Sequence, residues 1–358
     1  MTTIDMTSID EEKLGAFMGQ AVVDMGATIS GPTLLIGEKL GLFKAMMGAG
    51  PLTSAEVADR AGVSERYTRE WLPGQAAGGY VEYDAGTDRY TLTDEHALAL
   101  AIPDSPYYVL GLYSSIASLF ADVDKLAESF RTGEGFGWHQ HDPGLFSGTE
   151  RFFGPGYAAN LVPSWLPALD GVVAKLTAGA QVADVGCGHG VSTFLMAQAF
   201  PESHFYGFDY HDQSIERARE LAAEHGVSDR CTFEVAGAQS FPGTGYDLVT
   251  HFDCLHDMGD PVGAARHVRE ALAADGTWMI VEPMAGDRVE ENLNPIGRLF
   301  YNASTTICTP ASLSQEGGLA LGAQAGEGKL TEVIKQGGFT RVRRATETPV
   351  NMILEARP

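Results

Sequence analysis

Three groups of residues with chemical potential fall in order along the second half of the chain. Asp184 is followed by glycines at 186, 188 and 190, with Cys187 and His189 between them. Glycine lets the backbone turn sharply and lets a ligand approach bare main chain. A helix starting just behind such a run offers unpaired N–H groups to a polar ligand end. Asp209, followed by Tyr210, comes about twenty residues later. An acid at that place can accept both hydroxyls of a ribose. His256 stands in H-D-M-G-D, beside Asp257. An imidazole titrating near neutrality can take a proton from a hydroxyl or amine. Each group also has a plainer reading: a strand-to-helix turn without a ligand, a helix-capping acid, a packing histidine.

These residues need strands that end on one face. Residues 182–185 read as a short buried strand after the turn residue Gly179, and 191–199 have the apolar density of a helix packed on a sheet. Further strands are predicted at 204–209, 231–236, 246–252 and 277–281. Helices are predicted at 214–224, 263–273 and 330–336, and a terminal hairpin at 339–345 and 350–355. Such α/β alternation builds a parallel sheet, whose carboxyl ends are where these folds bind ligands.

A dinucleotide fingerprint requires glycine at the sixth position from Gly186, where Val191 stands. The run D-x-G-x-G-x-G instead resembles the first motif of class I S-adenosylmethionine (SAM) methyltransferases. Residues 236–242, A-G-A-Q-S-F-P, are similar to the turn that flanks adenine in that family. Residues 256–260 resemble the H-D-W-x-D element of plant-type and bacterial O-methyltransferases that carry an N-terminal winged helix; the chain looks most like the actinobacterial, mycobacterial-type branch. The resemblance implies a Rossmann-like α/β domain of seven strands with an antiparallel ending. It implies SAM as cofactor and S-adenosylhomocysteine as product. The cofactor contacts would be Asp184, Gly186, Cys187, Gly188, Gly190, Asp209, Tyr210, Ala238, Gln239, Phe252 and Asp253. It makes His256 the general base and Glu282, in W-M-I-V-E-P, its partner. The family draws a second acid from nearer the C-terminus; Gln324 and Glu327 lie in that region without a motif to choose between them.

The N-terminal half reads as mainly helical. Leu14, Phe17, Met18, Ala21, Val22 and Met25 recur at helical spacing, and a second helix is predicted at 33–47; both suit a subunit interface or interdomain packing. Residues 51–72 read as helix-turn-helix, with Thr53 or Ser54 and then Ser64 as caps, and 78–92 as a hairpin; together they make a winged helix. Arg66 and Arg69 are offset by Glu65 and Glu70, and Arg89 by Glu82, Asp84 and Asp88, so the basic footprint of a DNA reader is missing. A structural or dimerising role is expected instead.

Residues 133–157 mix glycine and proline with large aromatics and read as a lid or binding loop, or as a loop tucking aromatics into a domain junction. Trp138, His139, His141, Phe153 and Tyr157 are its candidate acceptor contacts, with Asp257 from the catalytic half. His139 and His141 lack a neighbouring acid or cysteine cluster, so no metal is expected.

A chain of 358 residues suggests more than one domain, here 1–105 (helical and winged-helix), 106–176 (helical linker with the aromatic segment) and 177–358 (cofactor-binding). A net charge of −23 disfavours nucleic-acid backbones and anionic membranes as partners. The four cysteines form no C-x-x-C pair and read as reduced thiols of a cytoplasmic protein. Residues 1–9 are polar, with no signal-peptide pattern, and no apolar run reaches the roughly 20 residues that span a bilayer. The expectation is a homodimeric SAM-dependent methyltransferase acting on a hydroxyl or amine of a small molecule. A ligand-sensing winged-helix regulator and an NAD-dependent oxidoreductase are the rivals.

Overall fold

In the computed structural model, which describes residues 8–358, Asp10 caps the first helix by accepting the Lys13 N–H at 3.1 Å. Of the polar stretch expected at 1–9, all but the last two residues lie outside the described residues. The helix runs without interruption over Glu11–Lys39. The expected break near residue 33 is absent, because Pro32 is taken up inside the helix. The break falls instead at Gly41, whose φ of 69° suits glycine, and a short helix Leu42–Met46 follows.

The chain divides into two compact units. One comprises the residues up to Ala117 together with Phe146–Pro155; the other comprises Ser118–Leu145 and Gly156–Pro358. In the first unit, Thr53 and Glu56 form a capping box at the start of Ser54–Ala61, and Gly62 ends that helix in the left-handed conformation. Helix Glu65–Ala77 follows, then a hairpin of β1 (Glu82–Asp84) and β2 (Arg89–Thr91). Leu34, Phe43, Met46, Val57 and Leu72 are fully buried among these elements, and the Trp71 indole N–H donates to the Thr33 carbonyl at 2.8 Å. This is the winged helix that the capping residues predicted.

The stretch expected as an aromatic loop is only partly one. Trp138–Gln140 is a single 3₁₀ turn, and Gly144–Asn160 is a 17-residue helix. Its glycines hid the helical period but have a packing reason. A Cβ on Gly148 would lie 2.4 Å from the Ser115 hydroxyl oxygen, and one on Gly111 would lie 2.7 Å from the Arg151–Phe152 backbone. Glycine is required there because helices Leu110–Ala121 and Gly144–Asn160 cross at backbone contact.

The second unit is built on a seven-stranded sheet of β3 (Gln181–Val185), β4 (His204–Asp209), β5 (Cys231–Val235), β6 (Tyr246–Phe252), β7 (Leu272–Pro283), β8 (Arg341–Glu347) and β9 (Asn351–Arg357). The order is β5-β4-β3-β6-β7-β9-β8; β5 to β7 pair in parallel, while β9 runs antiparallel to both β7 and β8. The central strands β3 and β6 are buried almost throughout, as expected of strands covered on both faces, while β5 at the edge alternates buried and exposed positions. Trp278, Phe205, Phe208 and Phe241 fill that core. Chain order reverses between β3 and β6, so their carboxyl ends flank the crevice where this topology takes ligands.

Candidate active site

The glycine run leaves β3 with all three glycines at positive φ: 74° at Gly186, 53° at Gly188 and 82° at Gly190. They do different things. A Cβ on Gly186 would meet the Cys254 sulfur at 2.7 Å, and one on Gly190 would meet Phe194 and Phe233 at 2.8 and 2.9 Å. A Cβ on Gly188 would meet nothing within 4 Å, so here bare backbone faces room for a ligand. Helix Val191–Ala199 starts at Gly190 without a side-chain cap.

Asp184 is buried, and its carboxylate accepts from the hydroxyls of Ser192 (2.6 Å), Thr193 (2.6 Å) and Thr250 (2.9 Å). It ties the glycine turn to β6 and to the helix behind it, a structural task. Burial raises its pKa against those hydroxyls. Asp209 ends β4 and accepts from the N–H groups of Gly188 and His211, both at 2.9 Å. Each carboxylate oxygen can accept again, which leaves capacity for a diol. Burial again raises its pKa. Tyr210 is beside it, its hydroxyl bonded to the Trp138 backbone, which brings the 3₁₀ turn Trp138–Gln140 to this strand end. Cys187, within the turn, is buried. Ala238 packs on the core, and Gln239 turns its amide to the Asp260 carbonyl at 3.3 Å.

Past β6, Asp253 holds a non-glycine φ of 50°, a strained conformation of the kind found at functional sites. Its two oxygens accept from the Tyr157 hydroxyl (2.6 Å) and the Asn351 amide (2.8 Å). Tyr157 also packs on Phe252, ring centroids 5.2 Å apart. Burial pushes the Asp253 carboxyl up to about 7 and does the same for Asp257. Asp257 lies within the fields of His256, Glu282 and Asp209. Asp260, by contrast, caps helix Pro261–Ala271 through the Gly263 N–H.

His256 sits in the turn Leu255–Asp257 and is 4% exposed. Its Nδ1 lies 2.6 Å from Glu282 Oε2, while Glu282 Oε1 accepts the Leu255 N–H at 2.9 Å. A carboxylate only accepts, so in the neutral ring Nδ1 carries the proton and Nε2 presents its lone pair. Nε2 lies 3.2 Å from Cys308 Sγ. Burial acts to lower the His256 pKa, but Glu282 and then Cys308 outweigh it, and the net direction is well upward.

The two residues considered for a second acid are engaged elsewhere: Glu327 pairs with Arg344, and the Gln324 amide donates to the Met284 and Ala323 carbonyls. A thiol, not an acid, is the second partner of His256. No motif announced Cys308, which is 52 residues away and reaches the ring only through a π-helical turn, Ser304–Cys308. Asn351, Ser192, Thr193 and Thr250 were missed for the same reason, as ordinary polar residues placed by the fold.

The remaining acceptor candidates divide. His141 is buried with Nδ1 2.9 Å from Asp122, and its Nε2 has no hydrogen-bond partner. Burial lowers its pKa, countered by Asp122. His139 is exposed. Phe153 belongs to the first unit, where it packs against Phe152. Among the described residues no group of three or more histidines, cysteines and acids is arranged to hold a metal ion.

Residues 176–338 match the family described as "Methyltransferase domain", and residues 30–101 match the "Rv2258c-like winged HTH domain". Two successive stretches of the chain thus resemble a winged-helix domain and a methyltransferase domain. The 27-O-demethylrifamycin SV methyltransferase of Amycolatopsis mediterranei is 30% identical over 131 residues, 34% of this chain and 48% of that protein. The ubiquinone biosynthesis O-methyltransferase of Bordetella avium is 31% identical over 160 residues, 42% of this chain and 58% of that protein. The chain thus spans about half the length of these relatives. Solved structures are similar over nearly their whole length. The mitomycin 7-O-methyltransferase MmcR is 20% identical with a TM-score of 0.69, covering 98% of this chain and 100% of that one. Human N-acetylserotonin methyltransferase, solved with SAM, is 16% identical with a TM-score of 0.65, covering 99% of each. At such identities the likeness speaks for the fold alone: a seven-stranded α/β domain and a helical winged-helix domain.

Proposed function

We propose that the chain is a SAM-dependent methyltransferase that acts on a hydroxyl of a small acceptor, with His256 as general base. The observation that carries this reading is the 2.6 Å contact between His256 Nδ1 and Glu282, made at the strand ends beside the Gly188 turn. The site suits a cationic nucleoside. Asp209 offers spare acceptor capacity for ribose hydroxyls beside the open face of Gly188. Buried Asp253 and Asp257 hold raised pKa values that a bound cation would pull down. SAM, when bound, supplies a methyl group already activated by its sulfonium, so orientation carries much of the acceleration. The chain's own work is then to hold both partners in line and to receive the acceptor's proton at His256 Nε2. Glu282 fixes the tautomer and steadies the imidazolium. The choice of oxygen is supported by the relatives, one named an O-methyltransferase and one a methyltransferase of 27-O-demethylrifamycin SV. Trp138 and His141 are proposed to contact the acceptor.

The winged helix is proposed to dimerise rather than to bind DNA. Arg66 pairs with Glu70 and Arg69 with Glu65 on the same helix, so their charge is neutralised locally. Phe17, Val22, Val23, Met25 and Ile29 leave more than half of their surface exposed on helix Glu11–Lys39, an apolar face suited to a second copy. Among the described residues no helix is long and apolar enough to cross a membrane.

Calorimetric titration with SAM and with S-adenosylhomocysteine, followed by a labelled-methyl screen of phenols, hydroxylated heterocycles and amines, tests the reading. Absence of binding to either nucleoside would end it, as would binding of nicotinamide cofactors instead. Retention of a specific DNA fragment at physiological salt would favour the regulator.

A further inference from the structure

His256 is held from both sides. Glu282 accepts a hydrogen bond from the Nδ1–H, so in the neutral ring the Nε2 lone pair faces the Cys308 thiol across 3.2 Å. Cys308 lies at the end of the Ser304–Cys308 turn, whose i to i+5 geometry is uncommon and tends to mark functional positions. Phe300, Ile307 and Ala323 pack around it, leaving it 8% exposed. The Ser304 hydroxyl accepts the Ala323 N–H at 3.0 Å, and the His256 carbonyl accepts the Gly322 N–H at 3.1 Å, pinning both sides of the contact.

We propose that Cys308, His256 and Glu282 form a thiol–imidazole–carboxylate relay that makes Cys308 the reactive thiol of this chain, a modification site for small soft electrophiles. The arrangement is that of an activated nucleophile: thiol on base, base oriented by a carboxylate. Cys308 Sγ–H passes its proton to His256 Nε2, and the ionised Glu282 steadies the imidazolium so formed. The thiolate sulfur then attacks the electrophile. With an α-halo amide the S–C bond forms, the C–halogen bond breaks, halide leaves, and the proton on His256 goes to solvent.

The titratable groups around His256 are Glu282 on β7, Cys308, and Asp253 and Asp257 at the end of β6. All are acids, so each favours the imidazolium when ionised. Of the other three cysteines, Cys187 Sγ lies 3.7 Å from the Gly188 carbonyl and Cys254 Sγ 3.5 Å from the Val185 carbonyl, neither of which is a base. Burial pushes Cys187 and Cys254 well above the usual thiol value and Cys231 up to about 12. The reactivity of Cys308 does not depend on the proposed function. Its consequence does: a group attached to Sγ would cover Nε2 and stop the base.

Alkylation of the intact, ligand-free chain with iodoacetamide near pH 7, followed by peptide mapping, tests the relay. Cys308 is expected to react about tenfold or more faster than Cys187, Cys231 and Cys254. His256→Gln and Glu282→Gln are each expected to slow Cys308 by roughly tenfold while leaving the other three rates unchanged. Equal rates at all four cysteines in the folded wild type, or an unchanged Cys308 rate in both variants, would overturn the proposal. Unfolding of a variant raises all four rates together, and the wild-type ranking then decides alone. If the untreated chain transfers no methyl group yet Cys308 ranks first, the methyltransferase reading fails and the relay stands.

Discussion

Glu282 Oε2 lies 2.6 Å from His256 Nδ1, and both side chains are almost wholly buried. A carboxylate so close fixes which ring nitrogen carries the proton and holds the other as an acceptor. His256→Ala is therefore expected to lower turnover by roughly 10²–10⁴, with SAM affinity by calorimetry unchanged. Equal turnover in wild type and variant would remove the base assignment.

The same contact sets a pH dependence. Against the opposing effect of burial, Glu282 and Cys308 hold the His256 pKa well above its usual value. Only the neutral imidazole takes a proton, so turnover rises with pH through that raised value. Glu282→Gln removes the negative charge, and the rising limb is expected at lower pH with a lower plateau. A pH–rate profile at saturating SAM reads both.

Asp209 serves twice, holding the Gly188 N–H at 2.9 Å and offering further acceptor positions. Hydrogen bonds to a charged group contribute about 1.5–3 kcal/mol each. Asp209→Ala should therefore weaken SAM binding by at least roughly tenfold, measured by titration.

Asp253 and Asp257 carry folded-state pKa values of about 7 against an ordinary 3.8. A raised pKa means that the protonated form is favoured by the fold. That stabilisation is complete below the unfolded value and is lost as pH rises through about 7. His256, also raised, acts in the same direction. The ligand-free chain is expected to melt at a higher temperature at pH 5 than at pH 8, and Asp253→Asn should flatten that slope. A steeper slope in the variant would contradict the assignment.

Phe17, Val23 and Ile29 are each more than half exposed on helix Glu11–Lys39. Val23→Asp combined with Ile29→Asp should shift the chain from dimer to monomer by light scattering, with helical content kept. A wild type already monomeric at working concentration would remove the dimer.

The sequence carried the spacing-dependent part of this site. The glycines at 186, 188 and 190 announced a turn because only glycine takes those positive φ values cheaply. Apolar runs between turn residues marked the strands, since a sheet covered on both faces leaves little choice at those positions. Asp209 and His256 could be singled out because one ends a strand and the other closely follows one, and strand ends converge. The helical stretch Gly144–Asn160 was illegible, because its glycines serve a neighbouring helix and not their own period.

The tertiary structure alone decided the partners. Asp184 could have faced a ligand; the fold surrounds it with Ser192, Thr193 and Thr250. Glu327 was available as an acid for His256 until Arg344 took it. Cys308 reaches the imidazole across 52 residues through one π-helical turn, and no local pattern encodes a contact of that span. A sequence fixes which residue types can do chemistry and where the backbone must bend. Which side chains share a proton depends on distances of a few ångströms, set only when helices and strands far apart in the chain are packed together.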